Sequence, residues 1–308
     1  MTWLTPRAFA GPADLEQVLA VRRAATTPQN ATQFPTLVDL REMLDPAVAE
    51  SMATTCLWTD PTGQARAYAH LMVPYGNLLF HTDPAVVDPD LPAAMVAWAT
   101  VQMRGRPGTE EPELNAYARS DDTERVALLE AQGFVRQPGA TLHMVRPLAE
   151  PIPDPQFPPG FTVRSIAGEH EAEAYVDLHR AAFGTSRMTV AQRLAIMRNP
   201  AYCADLDLVA IAPDGTWAAF CVCNIDPEAN ARTGRAEAEI GIVGTRLPGY
   251  RGQGLGRAML LTGLRVLQAA SMDTATLGTD SDNAPAIRLY ESVGFRTIAR
   301  TIWLRKAV

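Results

Sequence analysis

The sequence predicts a mixed α/β protein built from two similar halves, and three observations carry that prediction. Strand-like and helix-like stretches alternate through the second half, with a glycine-rich junction between one strand and one long helix. Segments from both ends of that half recur in the first half at nearly constant offset. A proline-rich run lies between them.

The repeat rests on two pairs of segments. Leu4-Thr-Pro-Arg-Ala-Phe-Ala-Gly11 returns as Phe161-Thr-Val-Arg-Ser-Ile-Ala-Gly168, 157 residues on. Val126-Ala-Leu-Leu-Glu-Ala-Gln-Gly-Phe134 returns as Ile287-Arg-Leu-Tyr-Glu-Ser-Val-Gly-Phe295, 161 residues on. Between the halves, Glu150-Pro-Ile-Pro-Asp-Pro-Gln-Phe-Pro-Pro-Gly160 carries too many prolines for a helix and reads as an extended linker. The expected domains are therefore 1–148 and 161–308, joined by residues 149–160.

In the second half the pattern gives a strand near 161–167, then helices over 170–182 and 189–198. Strands follow near 206–212 and 217–225, turned by Pro213-Asp-Gly215. Another strand covers 236–245. A helix over 254–270 then places Leu260, Leu264, Leu267 and Ser271 on one face. A strand at 273–279, a helix at 283–292 and a last strand at 294–305 complete the half.

Composition bounds the function. Of 308 residues, 47% are hydrophobic and 20% charged, enough for two cores. No apolar run approaches the length of a membrane helix. The N-terminus lacks a basic segment followed by an apolar one, so the reading is a cytoplasmic protein with no membrane partner. Residues 1–150 hold 11 Arg, no Lys and 18 acidic residues, against 16 basic and 16 acidic in 151–308. The entire net charge of −7 thus lies in the first half, and neither half has the basic excess of a nucleic-acid binder. Cys56, Cys203, Cys221 and Cys223 show no CxxC, and His70, His81, His143, His170 and His179 show no ligand spacing, so no metal is expected. Cys221 and Cys223 alternate on one strand face and read as buried thiols.

The strongest local signal is Val243-Gly-Thr-Arg-Leu-Pro-Gly-Tyr-Arg-Gly-Gln-Gly-Leu-Gly256. Gly252, Gly254 and Gly256 leave the backbone bare where a strand turns into a helix, so N–H groups and the helix dipole converge on an anion. Arg251 and Arg257 add charge beside them. No Lys follows as a P-loop requires, and the glycines are spaced two and two rather than two and three as in a dinucleotide fingerprint.

Arg251-Gly-Gln-Gly-Leu-Gly256 resembles the Q/R-x-x-G-x-G/A signature of the GNAT family, the GCN5-related N-acetyltransferases. Thr279-Asp-Ser-Asp-Asn-Ala-Pro-Ala-Ile-Arg-Leu-Tyr-Glu-Ser-Val-Gly-Phe295 is similar to the family's downstream N-x-x-A-x-x-L-Y-x-x-x-G-F segment. The likeness covers most of 161–308. It implies two tandem GNAT-like domains, each a mixed, mostly antiparallel sheet flanked by helices, with acetyl-CoA as cosubstrate. By resemblance the pantetheine lies along Val243, Gly244 and Thr245. The pyrophosphate sits on Gly252, Gln253, Gly254, Leu255 and Gly256, and Asn283 stands beside the pantetheine. Tyr290 holds the family's general-acid position. One extra residue before Pro248 leaves open whether 243–245 or 244–246 faces the pantetheine, and a small bulge is expected to absorb it.

Acetyl transfer also needs a neutral amine. Glu237 and Glu239 alternate onto one face of the strand entering the site, where either relays a proton or both simply face solvent. Phe183, Arg187 and Met188 sit between the first two helices of this half and are candidates for an acceptor pocket. The first half has no glycine between Gly76 and Gly105. Asp83-Pro-Ala-Val-Val-Asp-Pro-Asp-Leu-Pro92 stands where its loop should be, and Leu129 occupies the repeat position of Tyr290. It is expected to be degenerate and to bind no acetyl-CoA. The reading is an N-acetyltransferase acting on a small-molecule amine. Peptide or protein amines and a non-catalytic acyl-CoA sensor are the alternatives, and the choice of monomer or homodimer is open.

Overall fold

The computed structural model describes residues 2–27, 30, 35–45, 54–72, 75–104 and 112–308. The expected N-terminal Met1 and the end of the glycine-free stretch at Gly105 lie outside them. The chain forms two compact units: residues 1–141 with 299–308, and residues 142–298. The Pro-rich segment expected to join two domains lies inside the second unit, and the last ten residues return to the first. That return cannot be seen in local pattern, because strand pairing at such separation is decided by tertiary fit.

In the first unit the strands are β1 (Thr5–Ala8), β2 (Thr55–Thr59), β3 (Ala65–Met72), β4 (Asn77–Thr82), β5 (Glu113–Arg119) and the chain's final strand, β12 (Arg296–Ala307), adjacent in that order. All neighbours are antiparallel except β4 and β5, which run parallel. Helices α1 (Pro12–Ala24), α2 (Leu37–Met43), α3 (Leu91–Arg104) and α4 (Thr123–Ala131) flank this sheet. Helix α3 buries Leu91, Met95, Val96, Ala99 and Met103 in a core with Trp58, Leu71, Phe80 and Leu304.

The second unit repeats the plan. β6 (Val135–Pro147), from Leu142 onward, is followed across the sheet by β11 (Thr274–Asp280), β10 (Glu237–Thr245), β9 (Trp217–Asn224), β8 (Asp207–Ile211) and β7 (Thr162–Ser165). Again one pair, β10 with β11, is parallel, and β7 to β10 are joined antiparallel. The mixed, mostly antiparallel sheet expected of each half is present. Helices α5 (Ala172–Phe183) and α6 (Val190–Arg198) precede β8, α8 (Leu255–Ala269) joins β10 to β11, and α9 (Ala284–Ser292) follows β11.

A further helix, α7 (Pro227–Thr233), was not expected, although its Asp226 cap, Pro227 at the first turn and Gly234 at the end are legible in the sequence. The expected face of α8 is shorter than its pattern. The helix is closed by Ala270, and Ser271 adopts φ +63° beyond it, so Ser271 does not share the face of Leu260, Leu264 and Leu267.

Helix α8 lies close on β9 and β10. A Cβ at Gly263 would meet Cys221 Sγ at 2.8 Å and Cys223 Sγ at 3.0 Å, so only glycine permits this approach. Leu255, Met259, Leu260, Leu261, Leu264 and Leu267 are buried there, each contributing about 1.5–3 kcal/mol. Cys221 and Cys223 are free and buried on the same face, as expected, whereas Cys203 is exposed. Across the sheet, Arg193 and Asp207 form a fully buried ion pair. Tyr202 donates to Asp207 at 2.9 Å, and Tyr175 stacks on the guanidinium at 3.8 Å. This pair ties α6 to β8. Among the described residues no helix is long and apolar enough to cross a membrane.

Candidate active site

The site begins where two strands part. β10 and β11 are in register at Glu237↔Thr274, Ala238↔Ala275 and Glu239↔Thr276. Pairing stops there, although β10 continues to Thr245 and β11 to Asp280. On its other side β10 stays paired with β9 through Thr245, and the Arg246 N–H still donates to Ala218 O at 2.8 Å. In an antiparallel ladder alternate residues turn their backbone groups to opposite sides. Arg246, Gly244 and Ile242 therefore spend theirs on β9, and Val243 and Thr245 present theirs to the opening.

That register answers the question of which residues face the gap. The bulge lies at Gly241, between Ile240 and Ile242, and not at the extra residue before Pro248. Arg246 is further committed through its side chain, Nε to Trp217 O at 2.7 Å and NH2 to Asp177 at 2.6 Å. Gly244 has a steric reason to be glycine. A Cβ there would lie 2.3 Å from the Phe220 ring and 3.1 Å from Ala182 Cβ of α5. Val243 packs its side chain on the α8 core, leaving its peptide for the gap.

The loop after β10 supplies an anion cradle. Gly249, Gly252 and Gly254 have φ of +105°, +83° and +81°, values that an L side chain resists. Gly254 is the N-cap of α8, no side chain caps that end, and no acidic residue stands in its first turn. The first intrahelical bond is from Ala258 N to Gly254 O, so the N–H groups of Leu255, Gly256 and Arg257 are donors without a helical partner. Leu255 buries its side chain and offers only its backbone. Gln253 spans the loop, donating to Gly249 O at 2.8 Å. Gly256 packs near the strand end, where a Cβ would sit 3.8 Å from Thr245 Oγ1. Arg251 is exposed and Arg257 reaches the α9 end at Ser292 O, 3.5 Å.

Helix α9 carries the other predicted residues, and its Leu289 side chain lies beside Gly256 at the start of α8. Asn283 is its N-cap, accepting from the Ala286 N–H at 3.2 Å, so its carbonyl oxygen shapes the helix and its amide nitrogen remains for other partners. Tyr290 is half-buried against the core, edge-on to Phe295 with centroids 6.1 Å apart. Burial, with a smaller contribution from Cys221, raises its pKa, so the phenol holds its proton.

A family model described as "Acetyltransferase (GNAT) family" matches residues 172–295. The mycothiol acetyltransferase of Frankia casuarinae is 32% identical over 254 residues, which cover 79% of this chain and 72% of that protein. The mycothiol acetyltransferase of Frankia alni is 29% identical over 322 residues, 98% of this chain and 93% of that one. Among solved structures, a tandem GNAT protein from the clavulanic acid biosynthesis pathway shares the fold at a TM-score of 0.69 and 20% identity, with 99% and 98% of the two chains covered.

This chain belongs to the GNAT acetyltransferase family. It is an acetyl-CoA-dependent N-acetyltransferase, and acetyl-CoA is its cosubstrate.

In this GNAT fold the two candidate bases are not equivalent. Glu237 is mostly buried, and its carboxylate lies 3.4 Å from Arg235. Glu239 is exposed and is the last β10 residue in register with β11, at the point where the gap opens. Both lie on the face of β10 opposite Ala238 and Ile240, which enter the α8 core.

Along α5, His179, Phe183 and Phe220 form an aromatic cluster, His179 to Phe183 at 4.9 Å and Phe183 to Phe220 at 6.1 Å. The Nδ1 of His179 is buried without a hydrogen-bond partner. Burial, aided by Arg193, lowers its pKa and keeps the ring neutral. Sequence reasoning passed over His179 because it sought metal spacing. The useful signal was its place one turn before Phe183 on a helix that crosses a glycine strand. Phe183 is 46% exposed, and Met188 packs into the same cluster, while its carbonyl accepts from Arg180 Nε.

Proposed function

We propose that the second unit acetylates the primary amine of a small-molecule acceptor by direct transfer. The observation that carries this reading is the parting of β10 and β11 ahead of an uncapped, glycine-lined helix end. A strand-like pantetheine needs one free strand edge and a pyrophosphate needs converging N–H donors, and the two occur here end to end. The acceptor class is supported by the mycothiol acetyltransferase relatives, whose name specifies a small molecule.

Each residue then has a role. The backbone of Val243 and Thr245 pairs with the pantetheine arm, and the N–H groups from Gly252 to Arg257 hold the pyrophosphate, with Arg251 adding charge. Acetyl-CoA supplies an activated acetyl group, which the amine attacks without a covalent enzyme intermediate. Free β10 N–H groups beside the bulge receive charge on the thioester oxygen. Glu239, at the mouth of the gap, takes the amine's proton through water. Tyr290, kept protonated by its surroundings, gives its proton to the departing thiolate. His179 and Phe183 form the acceptor-side wall.

The first unit holds no acetyl-CoA in this reading and acts as a support for the second. A screen of small amines and peptides for CoA release tests the function. Turnover with small amines and not with peptides is expected. Turnover with peptides alone would replace the acceptor class, and binding of acetyl-CoA without turnover of any amine would identify a sensor.

A further inference from the structure

The first unit contains a cleft of its own. β4 and β5 are in register at Asn77↔Asn115 and then diverge, although β4 runs to Thr82 and β5 to Arg119. Beyond the point of divergence is a cavity of about 350 Å³, lined by Phe80, His81 and Thr82 of β4, Tyr117 of β5, and Arg125 and Leu128 of α4. This volume is in the range of sites that take small ligands.

The chemistry of the lining is specific. Arg125 donates through Nε to Tyr117 O at 3.2 Å and lies over the Phe80 ring, 4.5 Å from its centroid. No carboxylate of the described residues pairs with it, and four of its five N–H donors have no partner. Burial lowers its pKa, and the charge of nearby Asp122 offsets this only in part. His81 shares its Nδ1 with the Tyr68 hydroxyl at 2.9 Å, and burial holds the ring neutral.

Three other charged groups line the cavity. Arg22 is spent on Pro35 O, Asn30 O and Thr26. Asp122 caps α4 by accepting from the Arg125 N–H, and both Asp122 and Glu124 are exposed at the rim. Arg125, with no paired carboxylate, thus faces a cavity walled by Phe80 and Leu128 as well as by polar groups, with a neutral imidazole beside it.

We propose that this cavity binds a small monocarboxylate with an apolar body, its carboxylate on Arg125 and its body against Phe80 and Leu128. Such a ligand supplies the missing counter-charge and the bidentate acceptor a guanidinium fits. A pyrophosphate is disfavoured, because the loop before α3 carries Asp83, Asp88 and Asp90 in place of glycines.

The test uses the full chain and three probes: benzoate, benzyl alcohol as its uncharged match, and inorganic phosphate. Calorimetry and ligand-observed NMR are expected to show one benzoate per chain, with benzyl alcohol and phosphate at least tenfold weaker. Arg125→Gln should weaken benzoate at least tenfold and leave acetyl-CoA affinity within twofold. Leu128→Trp, which fills the cavity and keeps the cation, should do the same and serves if Arg125→Gln fails to fold. Equal binding of benzoate and benzyl alcohol, phosphate binding as tightly as benzoate, displacement of benzoate by acetyl-CoA, or benzoate affinity unchanged in both variants would each overturn the proposal.

Discussion

The two units open their sheets at the same place and fill the opening differently. In the second, β10 and β11 share three register pairs before parting, and the next loop carries three glycines at positive φ leading to an uncapped helix. In the first, β4 and β5 share one pair, and the next loop closes on itself. Asp83 accepts from the Ala85 N–H and pairs with Arg66, and Asp88 accepts from Thr2 and from the Asp90 N–H. Helix α3 is entered through bonds from Leu91 N to Asp88 O and from Ala94 N to Asp90 O. The parted strands therefore belong to the topology, whereas the anion cradle belongs to a few residues of one loop. One unit can keep the cleft and lose the cosubstrate.

The comparison is broken most sharply at Gly254. Gly254→Glu puts a carboxylate where the pyrophosphate should sit, and calorimetry is expected to show acetyl-CoA binding lost by about a thousandfold or more. Gly254→Asn, neutral and tolerant of a left-handed backbone, should lose no more than about tenfold. Wild type should bind one acetyl-CoA per chain, and two would refute the assignment of a silent first unit.

At the repeat position of Tyr290 stands Leu129, a buried residue with no proton to give. Tyr290→Phe should lower kcat by about a hundredfold and leave acetyl-CoA affinity within twofold. Because burial raises the phenol's pKa, the alkaline loss of kcat from this group should lie above the usual tyrosine value of about 10. Unchanged kcat in the variant would remove Tyr290 from the chemistry.

Acid should separate the units. His70 is buried with Thr55 Oγ1 at 2.7 Å from its Nδ1, and burial pushes its pKa down to about 4. His81 of the same unit is also held well below its ordinary value by burial, whereas His179 of the second is only half-buried. A depressed folded pKa means the unfolded chain takes the proton first. Stability from His70 is thus present above the ordinary value of about 6.5 and is lost as pH falls toward about 4, on the order of 3 kcal/mol. Calorimetric melting between pH 7 and 4.5 should show the first unit's transition falling faster, and His70→Gln should flatten that slope.

The smallest effect is expected at Asp88. Its carboxylate closes an exposed loop, so Asp88→Ala should leave the melting temperature nearly unchanged and create no second acetyl-CoA site. A gain of one would mean that acidity alone keeps the first unit silent.

Much of this was legible before any fold. The glycine loop, the leucine face of α8, the Asn283–Phe295 segment and the acidic replacement at 83–92 are local patterns, and each lies where the sequence placed it. The misses are of two kinds. Helix α7 was overlooked despite its Asp-Pro start and Gly end, because seven residues are too few for periodicity to register. Ser271 likewise fell to a local boundary, the helix end at Ala270, which leucine spacing does not mark, whereas Arg246 and His179 depend on neighbours distant in sequence: the Trp217 carbonyl and Asp177, and the ring of Phe220.

By itself the sequence determined what local backbone physics can decide. Glycine tolerates φ near +80° at 252 and 254 better than any L residue, a strand-to-helix junction without a capping side chain leaves its N–H groups bare, and three aspartates stand where the second unit's loop carries glycines. Only the tertiary structure decided where pairing stops. The last register pair at Glu239, the bulge at Gly241 that turns Val243 and Thr245 toward the gap, the return of β12 to β5, and the unpaired Arg125 inside the first cleft all follow from contacts between segments far apart in the chain. Those contacts are set by packing and register, which no short window of sequence contains.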